Sequence, residues 1–275
     1  MNTKIGGGSK IDMTDIEITP LSESEVHVWL ASLDRRQSEL KFFESFLAED
    51  EIDRASRFHF QKDRERFVTG RGLLRIMLSS YVGIPANEII FTYGCHGKPG
   101  LRRQDSRPAV EFNLAHSAGT AIYAVTRDRP VGVDIESFQP DFPAEEVARN
   151  FFSSAELAAL QGLPKLLRME GFFKCWTRKE AFVKALGNGL SCPLSDFDVS
   201  LTPGEPARLL NVRWGSDEAH WCMEDIEFTA GYAAAIVFSG PQCRMHVSQW
   251  ELSSGNEPRA GCTPEYSEQS VQASS

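Results

Sequence analysis

The stretch Val131-Gly132-Val133-Asp134-Ile135-Glu136, VGVDIE, joins a strand-like pattern to two acidic side chains. Successive side chains of a β-strand point to opposite faces, so the aliphatic residues share one face and both acids share the other. Neighbouring like charges repel each other, and acidic residues are poor strand formers. The pattern therefore predicts either a solvent-exposed acidic face, or a bound cation or a raised carboxyl pKa.

A second informative segment, FFKCWTRKEAFVKALGNGL, covers residues 172–190. Its charged and apolar residues recur with helical spacing, and the Gly-Asn-Gly turn is typical of a helix end. Trp176, Glu180 and Lys184 lie four residues apart and therefore share one stripe of the helix. Lys179 lies beside that stripe.

Two interpretations of this charged stripe remain open. As a surface ion pair, Glu180 and Lys184 would contribute about 0.3–0.5 kcal/mol to stability. Combined with Asp134 and Glu136, Glu180 would instead complete a set of three carboxylates for one hard cation. Ligands that are all oxygen favour magnesium or manganese over zinc, and the adjoining lysines would then contact phosphate oxygens.

Composition limits the classes of protein that fit. The chain has 275 residues and a formal net charge of −9, which argues against bulk binding to nucleic acid or to an anionic membrane surface. The longest apolar run, 232–238, is too short to span a bilayer, and no secretory signal opens the chain. The six cysteines are scattered without a CxxC pair, so a zinc site is not expected. Reduced thiols and a cytoplasmic location are expected instead.

The order of elements predicts an α+β fold with a pseudo-twofold arrangement of two similar subdomains. Each subdomain is expected to hold a small antiparallel sheet packed by helices. The expected organisation is a flexible leader (1–14), an N-terminal subdomain (15–128), a C-terminal subdomain (129–251) and a disordered tail (252–275). Helices are predicted at 39–47, 49–57, 63–82, 147–152, 154–161 and 168–186. Strands are predicted at 26–30, 89–94, 119–126, 131–136, 197–201, 220–227, 231–239 and 245–251, with a hairpin across Asp128-Arg129-Pro130.

Three further motifs have structural explanations. Ser153 and Glu156 have the S-x-x-E spacing of a helix capping box. Arg71 and Arg75 lie in GRGLLR, which resembles neither a phosphate loop nor a dinucleotide fingerprint, and a solvated helix face is predicted for them. His116 lies between a strand and a turn, where a structural role and a functional role are equally open. A serine hydrolase is not expected because the chain lacks a GxSxG elbow.

Taken together, the motifs resemble the 4′-phosphopantetheinyl transferases of the larger, monomeric type that activates surfactin synthetase. The family signature is a Gly-(Ile/Val)-Asp-(Ile/Val)-Glu strand, then Trp-x-x-Lys-Glu-Ala-x-x-Lys, then Gly-x-Gly-Leu. Two upstream family segments, Tyr-Gly-x-x-Gly-Lys-Pro and Phe-Asn-x-Ser-His-Ser, also have counterparts. The matching stretches are GVDIE (132–136), WTRKEAFVK (176–184), GNGL (187–190), YGCHGKP (93–99), FNLAHS (112–117) and RFHFQKDRERFVTGRGLLR (57–75). They occur in the family's order over residues 49–239, which makes the resemblance specific.

The resemblance implies that phosphopantetheine moves from coenzyme A to a serine hydroxyl of a carrier protein, with release of adenosine 3′,5′-bisphosphate. It implies that Asp134, Glu136 and Glu180 hold Mg²⁺, with Mn²⁺ as a second option, on the pyrophosphate. Glu180 and Lys184 are the expected catalytic residues. The acceptor of the serine proton stays open between Glu180 and a water on the metal.

The resemblance also assigns coenzyme A contacts and partners. Lys184 and Lys179 are expected on phosphate oxygens, His116 and Lys98 near the 3′-phosphate, and Arg54 at a further basic contact. Coenzyme A would lie in the cleft between the two halves. The partners would be apo carrier domains of fatty acid, polyketide or non-ribosomal peptide synthases, which would contact the enzyme near residues 189–197. The enzyme is expected to be a monomer that binds neither nucleic acid nor membrane.

One departure and two alternatives accompany this resemblance. The family usually has Ser where this chain has Ala115, so one hydrogen bond to the nucleotide, worth about 0.5–1.5 kcal/mol, is expected to be missing. The same acids would also suit a metal-dependent phosphodiesterase or pyrophosphatase acting on a nucleotide diphosphate. A non-catalytic protein that binds coenzyme A or carrier is the third interpretation.

Overall fold

The computed structural model describes residues 21–94, 96–102, 109–187, 192–214 and 220–250. The predicted leader and the predicted tail lie outside the described residues. The helices are α1 (Gln37–Glu44), α2 (Glu49–Ser56), α3 (Gln61–Val82), α4 (Ala144–Phe151), α5 (Ser154–Gly162) and α6 (Arg168–Leu186). The strands are β1 (Glu25–Ser32), β2 (Phe91–Tyr93), β3 (Pro99–Leu101), β4 (Val110–Ser117), β5 (Thr120–Arg127), β6 (Val131–Ser137), β7 (Phe197–Val199), β8 (Leu209–Val212), β9 (Trp221–Asp225), β10 (Tyr232–Ser239) and β11 (Arg244–Trp250).

Two sheets form the centre of the molecule. The first has the order β11-β1-β5-β4, and the second has the order β6-β10-β9. Their inner faces pack against each other through one apolar cluster drawn from both sheets. Helices α1 and α3 cover the outer face of the first sheet, and α6 with α4 and α5 covers the outer face of the second. The predicted α+β fold, with small sheets packed by helices, is confirmed.

Strand β10 is buried on both faces, and its successive side chains pack into two different apolar clusters. In β10, Ala234, Ile236 and Phe238 enter the cluster between the sheets. The intervening Ala235 and Val237 pack towards the helices around α6 instead. This double burial explains why β10 reads as the longest apolar run of the chain. Within the described ranges, none of the helices combines the length and the hydropathy that a bilayer span needs.

The last described strand differs from its prediction. Strand β11 was expected in the C-terminal subdomain, but it pairs in parallel with β1, with Val28 opposite Val247. The first sheet is therefore mixed rather than purely antiparallel. The chain returns from the second sheet to complete the first one, and sequence periodicity cannot show such a long-range pairing.

The predicted hairpin across Asp128-Arg129-Pro130 is wrong. Strand β5 pairs with β1 and β4, whereas β6 pairs with β10 in the other sheet. Asp128 has a left-handed φ of 53°, and the Thr126 hydroxyl donates to the Arg129 carbonyl at 2.7 Å. The turn therefore passes the chain from one sheet to the other.

The expected solvated face of α3 is also wrong. Arg71 and Arg75 are buried and both face the buried Glu51 of α2. The Nε of Arg75 lies 2.6 Å from a Glu51 oxygen, and its guanidinium donates to the carbonyls of Ala86 and Ile89. Buried charges need partners, and here the partners come from two helices. The ion pair therefore links α2 to α3.

Helix α6 lies directly against strand β6, and Gly132 allows this approach. A Cβ atom at Gly132 would lie 2.0 Å from the Ala181 carbonyl oxygen and 2.3 Å from the Ala185 nitrogen. Both are backbone atoms, which cannot turn aside as a side chain can. The helix ends as predicted at Gly187, whose φ is 72°. Gly132 therefore sets the distance between the VGVDIE strand and the charged stripe of the helix.

We expect Gly132→Ala to destabilise the fold by more than the 1–3 kcal/mol typical of an overpacked core, because the added methyl meets backbone. Urea denaturation followed by far-UV circular dichroism measures the free energy of unfolding. Gly162→Ala is the matched control, since nothing lies within 4 Å of a Cβ there. Equal midpoints for Gly132→Ala and the wild type would show that α6 does not depend on this approach.

Candidate active site

Three carboxylates lie where β6 meets α6. Asp134 and Glu136 come from the strand, and Glu180 comes from the helix. Asp134 is only 5% exposed, while Glu136 and Glu180 are half-buried. The acidic face of the predicted strand is therefore covered by a helix rather than exposed to solvent.

Burial raises the pKa values of all three acids, and repulsion from neighbouring carboxylates adds to the shifts of Glu136 and Glu180. For Glu180, burial is the main cause, followed by the negative charge of Asp134 and, more weakly, that of Glu136. Burial raises the pKa of Glu136, and Asp134 adds to that effect. Burial also raises the pKa of Asp134, although Lys184 offsets part of the change. Each shift shows that a further positive charge would stabilise the ionised group.

Lys184 is the cation of this cluster. Its ammonium lies 2.7 Å from Asp134 Oδ1 and donates to the Val133 carbonyl at 3.3 Å. Its side chain is 29% exposed, so it reaches the surface of the cluster. Glu180 and Lys184 lie one helical turn apart, as predicted. The ion pair of Lys184, however, is with Asp134 of β6.

The donor set fits a hard cation, although the carboxylates are not gathered around one point. Within the described ranges, no three His, Cys, Asp or Glu side chains form a ready coordination group. Asp134 Oδ2 is nevertheless buried without a hydrogen-bond partner, which is costly for a carboxylate oxygen. An orphaned oxygen beside two further carboxylates suits Mg²⁺, which takes oxygen ligands and retains several waters.

Lys98 reaches this cluster from the N-terminal half. It lies just before β3, and its ammonium donates to the Lys184 carbonyl at 2.6 Å and to the Val131 carbonyl at 3.0 Å. The first acceptor lies in the last turn of α6, where carbonyls lack helical partners and attract cations. Burial lowers the pKa of Lys98 to about 8.

His116 stands at the border of the same cluster. It is exposed at the end of β4. Partial desolvation lowers its pKa, followed by the positive charges of Lys184 and Arg66, while Asp134 opposes the change. The predicted His116 is thus close to the carboxylate group. Arg66 is a neighbour that the motifs did not single out; it pairs with Asp34 at 2.7 Å.

The position of Ala115 is relevant to the hydrogen bond to the nucleotide that the sequence predicts to be missing. Its side chain is buried in the apolar cluster between the two sheets. A side chain there faces the core rather than an open surface. The substitution of Ala for the family's Ser therefore changes the packing between the sheets.

The structure does not bring Lys179 into the cluster. Lys179 is 0% exposed, and its ammonium lies 2.6 Å from the carbonyls of both Leu194 and Phe197 and 2.8 Å from Glu156. Three acceptors match the three donors of an ammonium group, which leaves none for a phosphate. Glu156 also makes the predicted capping box with Ser153. Lys179 is therefore a core residue that ties α6 to α5 and to the segment before β7.

Arg54 lies apart from the carboxylates. It is exposed on α2, and its guanidinium stacks over the Phe67 ring at 5.2 Å. Among the described contacts, none joins Arg54 to Asp134, Glu136 or Glu180. Its expected role in coenzyme A binding stays a prediction.

Comparisons with known proteins agree with the motifs. A family model for the 4′-phosphopantetheinyl transferase superfamily matches residues 130–237, and one for the N-terminal part of 4′-phosphopantetheinyl transferase matches residues 32–127. The chain is 40% identical over 192 residues to 4′-phosphopantetheinyl transferase HetI of Nostoc sp., covering 70% of this chain and 80% of that protein. It is 33% identical over 233 residues to 4′-phosphopantetheinyl transferase psf-1 of Bacillus pumilus, covering 84% and 91%. A solved structure of holo-[acyl-carrier-protein] synthase from Thermotoga maritima aligns with a TM-score of 0.32 and 24% identity over 42% of this chain and 64% of that chain.

We expect Lys179→Met to lower the free energy of unfolding by about 3–5 kcal/mol, because it leaves Glu156 buried without its cation. Lys174→Met on the same helix is the control. Its partner Asp225 keeps two hydrogen bonds from Arg178, so a smaller loss is expected. Urea denaturation measures both. A Lys179→Met variant as stable as the wild type would contradict the core role.

We expect Asp134→Asn to stabilise the protein at neutral pH in a chelating buffer. The raised pKa of Asp134 means that its contribution to stability is present below the ordinary aspartate pKa and is lost as pH rises through the raised value. The stability difference from wild type should therefore be largest near neutral pH and vanish in acid. Unfolding free energies across pH measure it, with the exposed Asp141→Asn as control; a difference independent of pH would refute it.

Proposed function

This chain belongs to the 4′-phosphopantetheinyl transferase superfamily, and on that premise we propose a metal-dependent mechanism of the surfactin-synthetase-activating type. The 4′-phosphopantetheine group of coenzyme A passes to a serine hydroxyl of an apo carrier protein, and adenosine 3′,5′-bisphosphate is released. The observation that carries the proposal is the meeting of three carboxylates of raised pKa with Lys184 between β6 and α6.

The reaction is a phosphoryl transfer. The carrier serine oxygen attacks the β-phosphorus of coenzyme A, and the bond from that phosphorus to the bridging oxygen of the pyrophosphate breaks. The serine proton goes to a base, and the leaving bisphosphate takes the electron pair. Such reactions depend on positioning and on neutralising phosphate charge rather than on covalent intermediates with the protein.

Asp134, Glu136 and Glu180 would hold the divalent ion. When bound, Mg²⁺ neutralises charge on the pyrophosphate oxygens and orients them. The buried, unpartnered Asp134 Oδ2 supports this assignment, as do the raised pKa values. The ligands belong to one strand and one helix, so Gly132 fixes how closely the two sets approach.

Lys184 is the proposed phosphate contact. The described contacts use two of the three donors of its ammonium, on Asp134 and on the Val133 carbonyl. The third can point to a phosphate oxygen, and the partly exposed side chain can reach it. A positive charge there stabilises the charge that develops on the transferred group and on its leaving oxygen.

Glu180 is the proposed proton acceptor. Burial and the neighbouring acids raise the pKa of its carboxyl, which makes it a stronger base than an exposed glutamate. Its half-buried position on α6 leaves it within reach of an incoming hydroxyl. A water held at the site is the other acceptor that the sequence leaves open.

The nucleotide part of coenzyme A would extend towards the N-terminal half. His116 borders the cluster, and Lys98 adds positive charge at the end of α6. Arg54 would lie farther along the ligand, on α2. Lys179 is omitted from this set because its donors are all satisfied in the core.

Carrier recognition would use local surfaces, because this chain is acidic and carrier proteins present acidic helices. The family's carrier-facing region corresponds to 189–197, of which residues 192–197 are described. Trp214 is 43% exposed and its ring lies 5.8 Å from that of Phe197, which supports an apolar contact there. We propose apo carrier domains of fatty acid, polyketide or non-ribosomal peptide synthases as the partners of a monomeric enzyme that acts in the cytoplasm.

We expect the purified protein to add the phosphopantetheine mass to an apo carrier when coenzyme A and Mg²⁺ are both present. Intact-protein mass spectrometry of a panel of fatty acid, polyketide and peptide carriers measures the increment. Asp134→Ala should abolish the transfer while leaving the circular dichroism spectrum unchanged. Asp141→Ala, at an exposed position outside the cluster, is the control.

Two outcomes would contradict the proposal. Transfer by Asp134→Ala at the wild-type rate would remove the metal assignment. Cleavage of coenzyme A without any change in carrier mass would instead favour a pyrophosphatase.

A further inference from the structure

Strand β6 is an edge strand whose outer side is bonded by side chains instead of by another strand. Its inner neighbour is β10, so one row of its backbone groups faces away from the sheet. On that row, the Val133 N–H donates to Asn113 Oδ1 at 2.9 Å, and the Ser137 N–H donates to Ser117 Oγ at 3.1 Å. An unpaired edge needs such partners because buried backbone groups are costly when unsatisfied.

These two side chains come from one strand of the other sheet. Asn113 and Ser117 lie four residues apart on β4, with Ala115 between them, so all three face the second sheet. Their two acceptor sites match the spacing of the Val133 and Ser137 amides on β6. Strand β4 thus fixes the position of the metal-binding strand along its length.

Ser117 also contacts a proposed metal ligand. Its hydroxyl donates to Glu136 Oε2 at 2.9 Å. An ionised carboxylate can only accept, so the hydroxyl donates its proton to Glu136 while its oxygen accepts from the Ser137 amide. One oxygen of Glu136 is therefore held by the N-terminal half of the protein.

We propose that Ser117 is a positioning residue that orients the Glu136 carboxylate for the divalent ion, and that it couples the metal site to the N-terminal half. This inference rests on the proposed function. A donor on one carboxylate oxygen fixes the rotamer and leaves the other oxygen for the ion. Such supporting hydrogen bonds typically change metal affinity by about 10–100-fold when they are removed.

The same hydrogen bond acts on the charge of Glu136. Burial and Asp134 raise the pKa of Glu136, and the Ser117 hydroxyl opposes this by stabilising the ionised form. The geometry of the two hydrogen bonds, from Ser117 to Glu136 and from the Ser137 amide to Ser117, carries the positioning role.

The test measures Mn²⁺ binding to the full chain by electron paramagnetic resonance, without turnover. We expect Ser117→Ala to weaken Mn²⁺ binding by about 10–100-fold. Ser117→Thr keeps the hydroxyl and should restore most of the affinity. Ser137→Ala is the matched control. Its hydroxyl is 3.5 Å from Ser117 Oγ, none of the described hydrogen bonds joins that hydroxyl to Glu136, and the variant retains the backbone N–H.

A second measurement is independent of metal. In a chelating buffer, the Ser137 amide should exchange its hydrogen faster in Ser117→Ala than in the wild type, because it loses its acceptor. Amide exchange by nuclear magnetic resonance reports this directly, and the Val133 amide, held by Asn113, serves as an internal reference.

The outcomes separate the inference from the proposed function. If the wild type transfers and binds Mn²⁺, but Ser117→Ala matches it in Mn²⁺ affinity and in Ser137 exchange, the positioning role is overturned and the function stands. If the wild type neither binds Mn²⁺ nor modifies any carrier, the proposed function fails, whereas faster Ser137 exchange in Ser117→Ala would still support the contact between β4 and β6.

Discussion

The contact of Gly132 with the backbone of α6 is the constraint on which the site depends. A methyl group at this position would meet the Ala181 carbonyl and the Ala185 amide well inside contact distance. Because only glycine permits this approach, the acidic face of β6 is pressed against the charged stripe of α6. The carboxylates of Asp134 and Glu180, which are distant in sequence, therefore share one poorly solvated space, and repulsion between them follows from the packing.

The cluster between β6 and α6 also needs residues from both halves of the protein. The C-terminal half supplies the acids and Lys184, while the N-terminal half supplies Lys98, Asn113 and Ser117. These three contacts satisfy backbone groups at the outer edge of β6 and at the end of α6, where regular secondary structure leaves them unpaired. The interface between the halves is therefore held by polar side chains at its rim and by the apolar cluster between the sheets at its centre.

The sequence predicted local features well and distant ones poorly. Helical spacing and the glycine after it gave α6 its bounds, because both signals lie within the segment. The hairpin at Asp128 failed, since a turn signal does not say which sheet the next strand joins. Lys179 was assigned to the site because it neighbours Glu180 in a functional motif. Successive helix residues are rotated by about 100°, so Lys179 points into the core although Glu180 faces the site. Its partner there is Glu156, for which the sequence predicted only a role in a helix capping box.

Charge balance explains why such a site favours a divalent ion. Three carboxylates share the space between β6 and α6, and Lys184 neutralises one of them through its ion pair with Asp134. With all three carboxylates ionised, the remaining charge is about two units negative in a region where solvent screens weakly, and the orphaned Asp134 oxygen adds an unsatisfied acceptor. A monovalent ion would leave the cluster negative and repel a pyrophosphate. A doubly charged cation would cancel the excess, and an anionic substrate could then approach the side of the cluster where Lys184 and Lys98 lie.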